Sequence, residues 1–567
     1  MNFPSVTREI SSFHAAALIL GGAALVSKLL GLLRDRLLAS RFGAGVELDV
    51  YYAAFQIPDV LYTIFLIGAA AAAVLPVFME YERRSAGESE AFVSNLLTVF
   101  SIAGSVLVAV AIIAAPWLMR AVAPGFGPEQ FRTAVWLTRL MMVNAVFLGV
   151  AGILSSVLQA RHRFVALALP PIFYNLGIIA GILFFVPRFG LSGLVAGVVA
   201  GGLAQIAVQL PTLRRMAFRI RPRLDWGEPG LRRVVKTSFP RVLAITMSQL
   251  TLVALAAIAS FFSSGSISVF KLAANLAYVP VGLFGVSYAL AVFPKLSGAT
   301  IEGRGETFGE HVRAGVRTIL FWVVPCATLA IVLRAHIVRV VLGSGAFDWE
   351  DTRLVAAVVA VLAIAMVSES ILPLILRAFY ALGRTRAPLF WDVVGSLATV
   401  LLAMALAAWF RESPEALSRL AGWLRVRNLP NTQVLAVAIA FAIGSLLNVV
   451  LLGLALKRAA ASRLGVRLSF EWSAGMTVLG ASVLAGLAAY GTLQPFPDLV
   501  PTNTFAGIFL QGVVAGAVGL FVYSVALVWQ RNDEILGLVE SIRRRLISPK
   551  RTPEVFEAEK LDGEGTK

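Results

Sequence analysis

From one end to the other, the chain alternates long apolar stretches with short polar ones. The apolar stretches run to about 20 residues, the helix length that crosses a hydrocarbon layer ~30 Å thick. Cut where charge, Pro or Gly clusters interrupt them, they fall near 15–40, 51–79, 91–114, 133–160, 166–187, 190–213, 237–262, 268–297, 314–333, 354–382, 387–410, 432–456, 473–493 and 504–530. This rhythm predicts an all-α polytopic membrane protein of about fourteen transmembrane helices. The first stretch ends in charge rather than in a small-residue cleavage site and another follows at once, so it reads as a span and not as a signal peptide. The chain then divides into a cytoplasmic N-terminus (1–14), six spans (15–213), a basic linker (214–236), six further spans (237–458), two last spans (459–530), and an amphipathic helix with a polar tail (531–567).

The polar interruptions carry the orientation. The linker holds Arg214, Arg215, Arg219, Arg221, Arg223, Arg232, Arg233 and Lys236, whereas the loops at 263–266 and 494–503 have no Lys or Arg. The positive-inside rule places the linker, and with it both termini, in the cytoplasm. The loop at 411–431 is also basic although parity puts it outside; its "PEALSRLAGWLRV" suits a short amphipathic surface helix. Two motif pairs suggest an internal repeat: Arg161 and Arg163 precede Arg384 and Arg386 by 223 residues, and Pro58 precedes Pro280 by 222. With six spans per unit, the halves would be parallel repeats with a substrate path between them. After the last span, Ile535, Leu538, Val539, Ile542 and Leu546 recur at helical spacing beside Arg543, Arg544 and Arg545, a pattern for a helix on a lipid surface.

Composition narrows the function. The 567 residues are 58% hydrophobic and 14% charged, with a mean hydropathy of +0.82. The net charge of +17 falls mostly in loops, which assigns it to orientation and not to nucleic acid. A single cysteine, Cys326, excludes an internal disulfide. Four scattered histidines offer no metal spacing, and there is no GxxxxGK[ST] loop for an ATP-driven motor. No cofactor is called for.

The informative residues are the charges inside the spans, which cost about 2.5–3.5 kcal/mol each on insertion scales and usually face a bundle interior or a watery cavity. Lys28 lies thirteen residues into its span, about 20 Å deep at 1.5 Å per residue, and needs a partner or a cavity. Asp35 sits two turns further on nearly the same face, while Arg36 and Arg41 near the outer end are expected to snorkel to headgroups. Span two adds Asp49 and Asp59, and span eight adds Lys271 and Asn275 one turn apart. Lys28, Arg34 and Lys271 together outweigh the nearby acids, and a net-cationic cavity suits a phosphate-bearing substrate. Glu369, Arg377 and Asp392 read equally well as structural hydrogen-bonding groups. Whether Asp35, Asp49 or Asp392 binds sodium or a proton is not decided by their spacing.

The stretches "SKLLGLLRDRLLASRFGAGVELDVYYAAFQIPDVL", "GILSSVLQARHRFVALALPPIFYNLGIIAGIL", "QLPTLRR" and "VLGSGAFDWEDT", followed by "RAFYALGRTRAP", closely resemble the MurJ/MviN family of lipid II flippases. The resemblance implies the fold of the multidrug/oligosaccharidyl-lipid/polysaccharide exporter superfamily: two six-helix lobes in a V plus two C-terminal helices that make a lipid-accommodating groove. It implies passage of an undecaprenyl-pyrophosphate-linked disaccharide-pentapeptide from the cytoplasmic to the outer leaflet for peptidoglycan synthesis. The partners it implies are that lipid, the surrounding membrane lipids and cell-wall synthesis proteins. The family's charged positions fall on Lys28, Arg34, Asp35 and Asp49. Where the family usually has two arginines this chain has Tyr62 and Thr63, its usual glutamate is Ile67, and the central arginine of its eighth helix aligns with Asn275, with Lys271 one turn away. The substrate-binding set expected from residues and resemblance together is Lys28, Arg34, Asp35, Asp49, Lys271 and Asn275. A flippase working by alternating access is the first reading. The lost arginines keep two others open: an exporter of another anionic lipid-linked glycan, and a transport-inactive membrane scaffold.

Overall fold

The computed structural model describes residues 13–69, 71–384, 386–469, 472–495 and 504–547. The expected N-terminal segment before residue 13, most of the 494–503 loop and the tail after 547 lie outside the described residues. Every regular element among those described is a helix.

The first bundle comprises α1 (Phe13–Phe42), α2 (Val46–Ala69), α3 (Ala71–Arg84), α4 (Ala86–Val122), α5 (Pro128–Ala160), α6 (Phe164–Ala168), α7 (Pro170–Ala180), α8 (Val186–Ala207) and α9 (Leu210–Arg215). Ser85 starts α4 by accepting the Glu88 N–H, a side-chain cap for a backbone donor the helix cannot pair. A π-helical segment, Gly181–Phe185, joins α7 to α8. The chain reverses at Gly190, whose φ of 54° and ψ of −138° interrupt the helix where the sequence separates spans five and six. The two arms pack glycine to glycine, Gly177 on Gly201 and Gly181 on Gly197. A Cβ on Gly181 would stand 2.6 Å from the Gly197 Cα, so the small residues here are what lets the backbones approach.

The second bundle comprises α10 (Pro229–Ala259), α11 (Ser266–Pro280), α12 (Ser287–Ile301), α13 (Gly305–Val332), α14 (Arg334–Val341), α15 (Trp349–Ala381), α16 (Arg386–Glu412), α17 (Pro414–Trp423) and α18 (Val434–Leu464). Pro280 ends α11, and a π-helical segment, Val281–Val286, carries the chain into α12. The short helix expected in the basic 411–431 loop is α17, and it lies at the same end of the molecule as the 263–266 loop, because Asn431 donates to the Ser264 carbonyl. Two last rods, α19 (Trp472–Leu493) and α20 (Phe505–Trp529), pair with each other and pack on α13 through Phe321, Val478, Ala485, Tyr523 and Leu527. A surface helix, α21 (Asp533–Ile547), follows, tied to α13 by Arg317, whose Nε donates to Glu534 at 2.8 Å.

Ten helical stretches among the described residues are long and apolar enough to cross a membrane, and one of them, Phe164–Arg215, contains the reversal at Gly190. The chain is a multi-pass membrane protein. Helices α1, α2 and α10, expected as spans, stand outside those ten. Many large apolar side chains face outward, among them Ile113, Trp117, Phe184 and Phe521, as a lipid-facing surface requires. Inside, one core runs through both bundles, and a second, built on Phe78, Phe92, Leu96 and Leu158, takes in Leu231 and Val234 from the start of α10.

Candidate functional site

Helices α1 and α2 of the first bundle meet α11 of the second around a cavity of about 220 Å³. It is lined by Arg34 and Leu38 from α1, by Tyr51, Tyr52, Phe55, Gln56 and Asp59 from α2, and by Lys271 and Asn275 from α11. At about 30 Å³ per water, it has room for several solvent molecules. Arg34 lies eight residues before the end of α1, so the cavity sits about 12 Å below that end of the molecule.

Arg34 is held rather than free. Its Nε and Nη2 donate to Asp35 Oδ1 at 3.0 and 2.8 Å, and its Nη1 donates to Asn175 Oδ1 of α7 at 3.3 Å. Asn175 in turn donates to the Ser27 carbonyl and hydroxyl, which fixes α7 to α1. The other oxygen of the buried Asp35 accepts from Asn275 Nδ2 at 2.9 Å, a bond between the two bundles. The structure thus brings Arg34, Asp35, Lys271 and Asn275 together. Lys28 stands about 9 Å further along α1, six residues before Arg34. Its ammonium reaches across to Gly282 in the second bundle, where an added Cβ would approach it to 2.8 Å.

Asp49 is placed elsewhere. It is buried at the end of the molecule, where one oxygen accepts the Gly265 N–H at 2.6 Å and the other accepts the Ser268 N–H at 2.7 Å. A carboxylate of the first bundle therefore caps the N-terminus of α11 in the second, a charge matched to the unpaired amides and the positive helix end. Gly265 makes this possible: its φ is 95°, and a side chain there would run into the Ala44 carbonyl. Further bonds seal the same end. Ala44 N–H donates to Asp351 at 3.1 Å, Ala346 N–H to the Ser40 carbonyl at 2.8 Å, and Gly125 N–H to Ser260 Oγ at 3.0 Å. Arg36 does not snorkel as expected. It donates to the Val340 carbonyl at 2.6 Å, at the C-terminal end of α14, and lies over the Phe505 ring of α20.

The expectation of a net-cationic cavity is corrected by the same geometry. Asp35, bonded to Arg34, and Asp59, on the cavity wall beside Pro58, match Arg34 and Lys271 charge for charge. A second, smaller polar pocket of about 90 Å³ lies within the second bundle. There Asp392 accepts from Asn448 at 2.9 Å and from Ser248 at 3.4 Å, and Glu369 accepts from Tyr278 at 3.0 Å. Among the described residues no three His, Cys, Asp or Glu side chains converge as a metal site would need.

A family model described as Lipid II flippase MurJ matches residues 38–509. The chain belongs to the MurJ family. The Lipid II flippase MurJ of Burkholderia cenocepacia is 29% identical over 382 residues, covering 66% of this chain and 74% of that protein. A Thermotoga maritima relative is 30% identical over 380 residues, covering 67% of this chain and 76% of its own length. Among solved structures, a lipid II flippase MurJ in an inward closed conformation has a TM-score of 0.71 at 22% identity, covering 90% of this chain and all of that one. An inward-facing multidrug-resistance MATE transporter of the MOP superfamily has a TM-score of 0.62 at 13% identity, covering 80% of this chain and 99% of that one. At those identities the likeness speaks for the fold.

Where this chain departs from the usual MurJ pattern, only Asn275 lines the cavity. Tyr62 packs against the main core, Thr63 is buried, and the Ile67 side chain lies outside the described residues. Sequence reasoning did not select Asn175, Tyr51, Tyr52, Phe55 or Gln56. The one available signal was a lone Asn in the otherwise apolar "PPIFYNLGIIA", since a polar side chain in such a helix needs a partner.

Proposed function

We propose that this protein moves lipid-linked peptidoglycan precursor, lipid II, from the cytoplasmic to the outer leaflet of the bacterial inner membrane by alternating access. The observation that carries this reading is the charged cavity between the bundles, placed directly beneath one sealed end. The two lobes, 15–213 and 237–458, rock about that junction. The basic linker end, with both termini, is cytoplasmic, so the described state takes substrate from that side.

In this reading Arg34, Lys271 and, further down the cleft, Lys28 draw in the pyrophosphate. Asp35 and Asn275 keep the Arg34 fork aimed, and Asp49 holds the outer end shut until the lobes move. The protein acts as a transporter, with no bond made or broken in its cargo. Its charge balance favours one alternative, the export of a different lipid-linked glycan whose headgroup is less anionic.

Complementation in cells depleted of their own flippase tests the proposal. Rescue by the wild type and at least tenfold weaker rescue by Lys271→Gln at equal expression is the expected result. Normal expression without rescue would exclude lipid II as cargo, and translocation of other prenyl-pyrophosphate glycans in proteoliposomes would then separate the alternative export reading from a scaffold.

A further inference from the structure

The cavity between the bundles contains two opposite charges that the protein itself leaves unsatisfied. Arg34 spends its fork on Asp35 and Asn175, and Asp35 spends its oxygens on Arg34 and Asn275. Lys271 and Asp59 line the same cavity, yet among the described residues neither enters a hydrogen bond or an ion pair. They share one cavity wall, but the Lys271 nitrogen stands more than 4.0 Å from the Asp59 carboxylate. The two charges come from opposite bundles, Asp59 from α2 and Lys271 from α11.

A cavity built only for phosphate has no use for a bare carboxylate on its wall. A purely anionic headgroup gains at Lys271 and is repelled at Asp59, whereas a headgroup with an anion at one end and a cation at the other gains at both. Asp59 thus works against the wrong ligand as well as for the right one.

We propose that Asp59 sets headgroup specificity: the cavity takes a zwitterionic lipid-linked headgroup, with phosphate oxygens on Lys271 and a primary ammonium on Asp59. This rests on the flippase reading above and narrows it to headgroups that carry a free amine.

The test uses the full chain in proteoliposomes and two prenyl-pyrophosphate-linked glycopeptides that differ only in a side-chain amine, free in one and N-acetylated in the other. The wild type should move the free-amine substrate about tenfold faster, the scale of one charge-assisted hydrogen bond. Asp59→Asn should erase that preference by slowing the free-amine substrate, and Lys271→Gln should slow both alike. Equal wild-type rates would overturn the proposal. So would an Asp59→Asn variant that speeds both substrates equally, since Asp59 would then serve only as a counter-charge to Lys271. The wild-type comparison needs no variant, so a misfolded substitution leaves the test intact. If the wild type moves neither substrate, the flippase reading falls and this inference with it.

Discussion

The two ends of the junction between the bundles are fastened by different physics. At the sealed end the fasteners pair a charge with helix backbone: the buried Asp49 on the N-terminal amides of α11, and the half-buried Arg36 on the C-terminal carbonyls of α14. Both obey the polarity of the helix, acid at the amino end and base at the carboxyl end. At the basic end the bundles are joined through the linker and the first turns of α10. Asn95 binds the linker backbone at Asp225 in both directions, at 2.8 and 2.7 Å, and Arg233 bonds to an exposed Glu80. Exposed pairs of this kind are weak and weaken further with salt. Charge-assisted bonds made out of water are worth about 1.5–3 kcal/mol each. At the basic end the Arg233–Glu80 pair is therefore the tie that salt and acid can loosen, whereas the fully buried Asn95 and the core that takes in Leu231 and Val234 still hold the start of α10.

Removing Asp49 should break that asymmetry most. Asp49→Ala leaves two buried amides of α11 without an acceptor, a loss of about 3 kcal/mol, or roughly a hundredfold in the ratio of sealed to open. The readout is a Ser266→Cys reporter, fully buried beneath the seal, in a Cys326→Ser background. Labelling by a membrane-impermeant thiol reagent should rise at least tenfold. Unchanged labelling would mean that the seal is held by the Ala44–Asp351 and Ala346–Ser40 bonds instead.

How much of this was legible in the sequence follows from the range of each interaction. The spans were readable because burial in lipid imposes a local rule on about 20 consecutive residues. The reversal at Gly190 falls at the break between the apolar stretches 166–187 and 190–213. Lys28, Arg34 and Lys271 stood out because a charge in an apolar run is costly wherever it points. What these charges touch was not readable. Asp49 reads as a cavity residue until α11, 216 residues away, presents its amides. Arg36 reads as a headgroup ligand until the end of α14 arrives beside it. The charge balance of the cavity failed for the same reason, since it depends on the inward rotation of Asp59, which no count of residues supplies.

Arg36 should sharpen the comparison at intermediate cost. Its Arg36→Gln variant loses a charge-assisted bond to the Val340 carbonyl and a cation–π contact with Phe505, together about 1–2 kcal/mol for this half-buried group. The Ser266→Cys reporter should label several-fold faster, less than with Asp49→Ala. Equal effects would show that the seal opens as one cooperative unit, and no effect would confine Arg36 to holding α14 and α20 in place.

The smallest effect belongs to the basic end, and its sign distinguishes the two ends. The hydrogen bond from Arg233, and then its charge, hold the Glu80 carboxyl below its ordinary range. A carboxylate lowered in this way contributes its full share of the tie above the ordinary glutamate value and loses it as pH falls through the lowered one. Acid, or salt near 1 M where the screening length is about 3 Å, should therefore loosen α3 from the start of α10. Spin labels on exposed positions of the two helices should report a broader distance distribution under either condition. Glu80→Gln should show that breadth already at neutral pH and no further response to acid. The seal, built from buried charge on backbone, should keep its Ser266→Cys labelling rate through the same salt step. If labelling rises with salt as the basic end loosens, the two ends are one coupled clasp, and the division of labour between them is wrong.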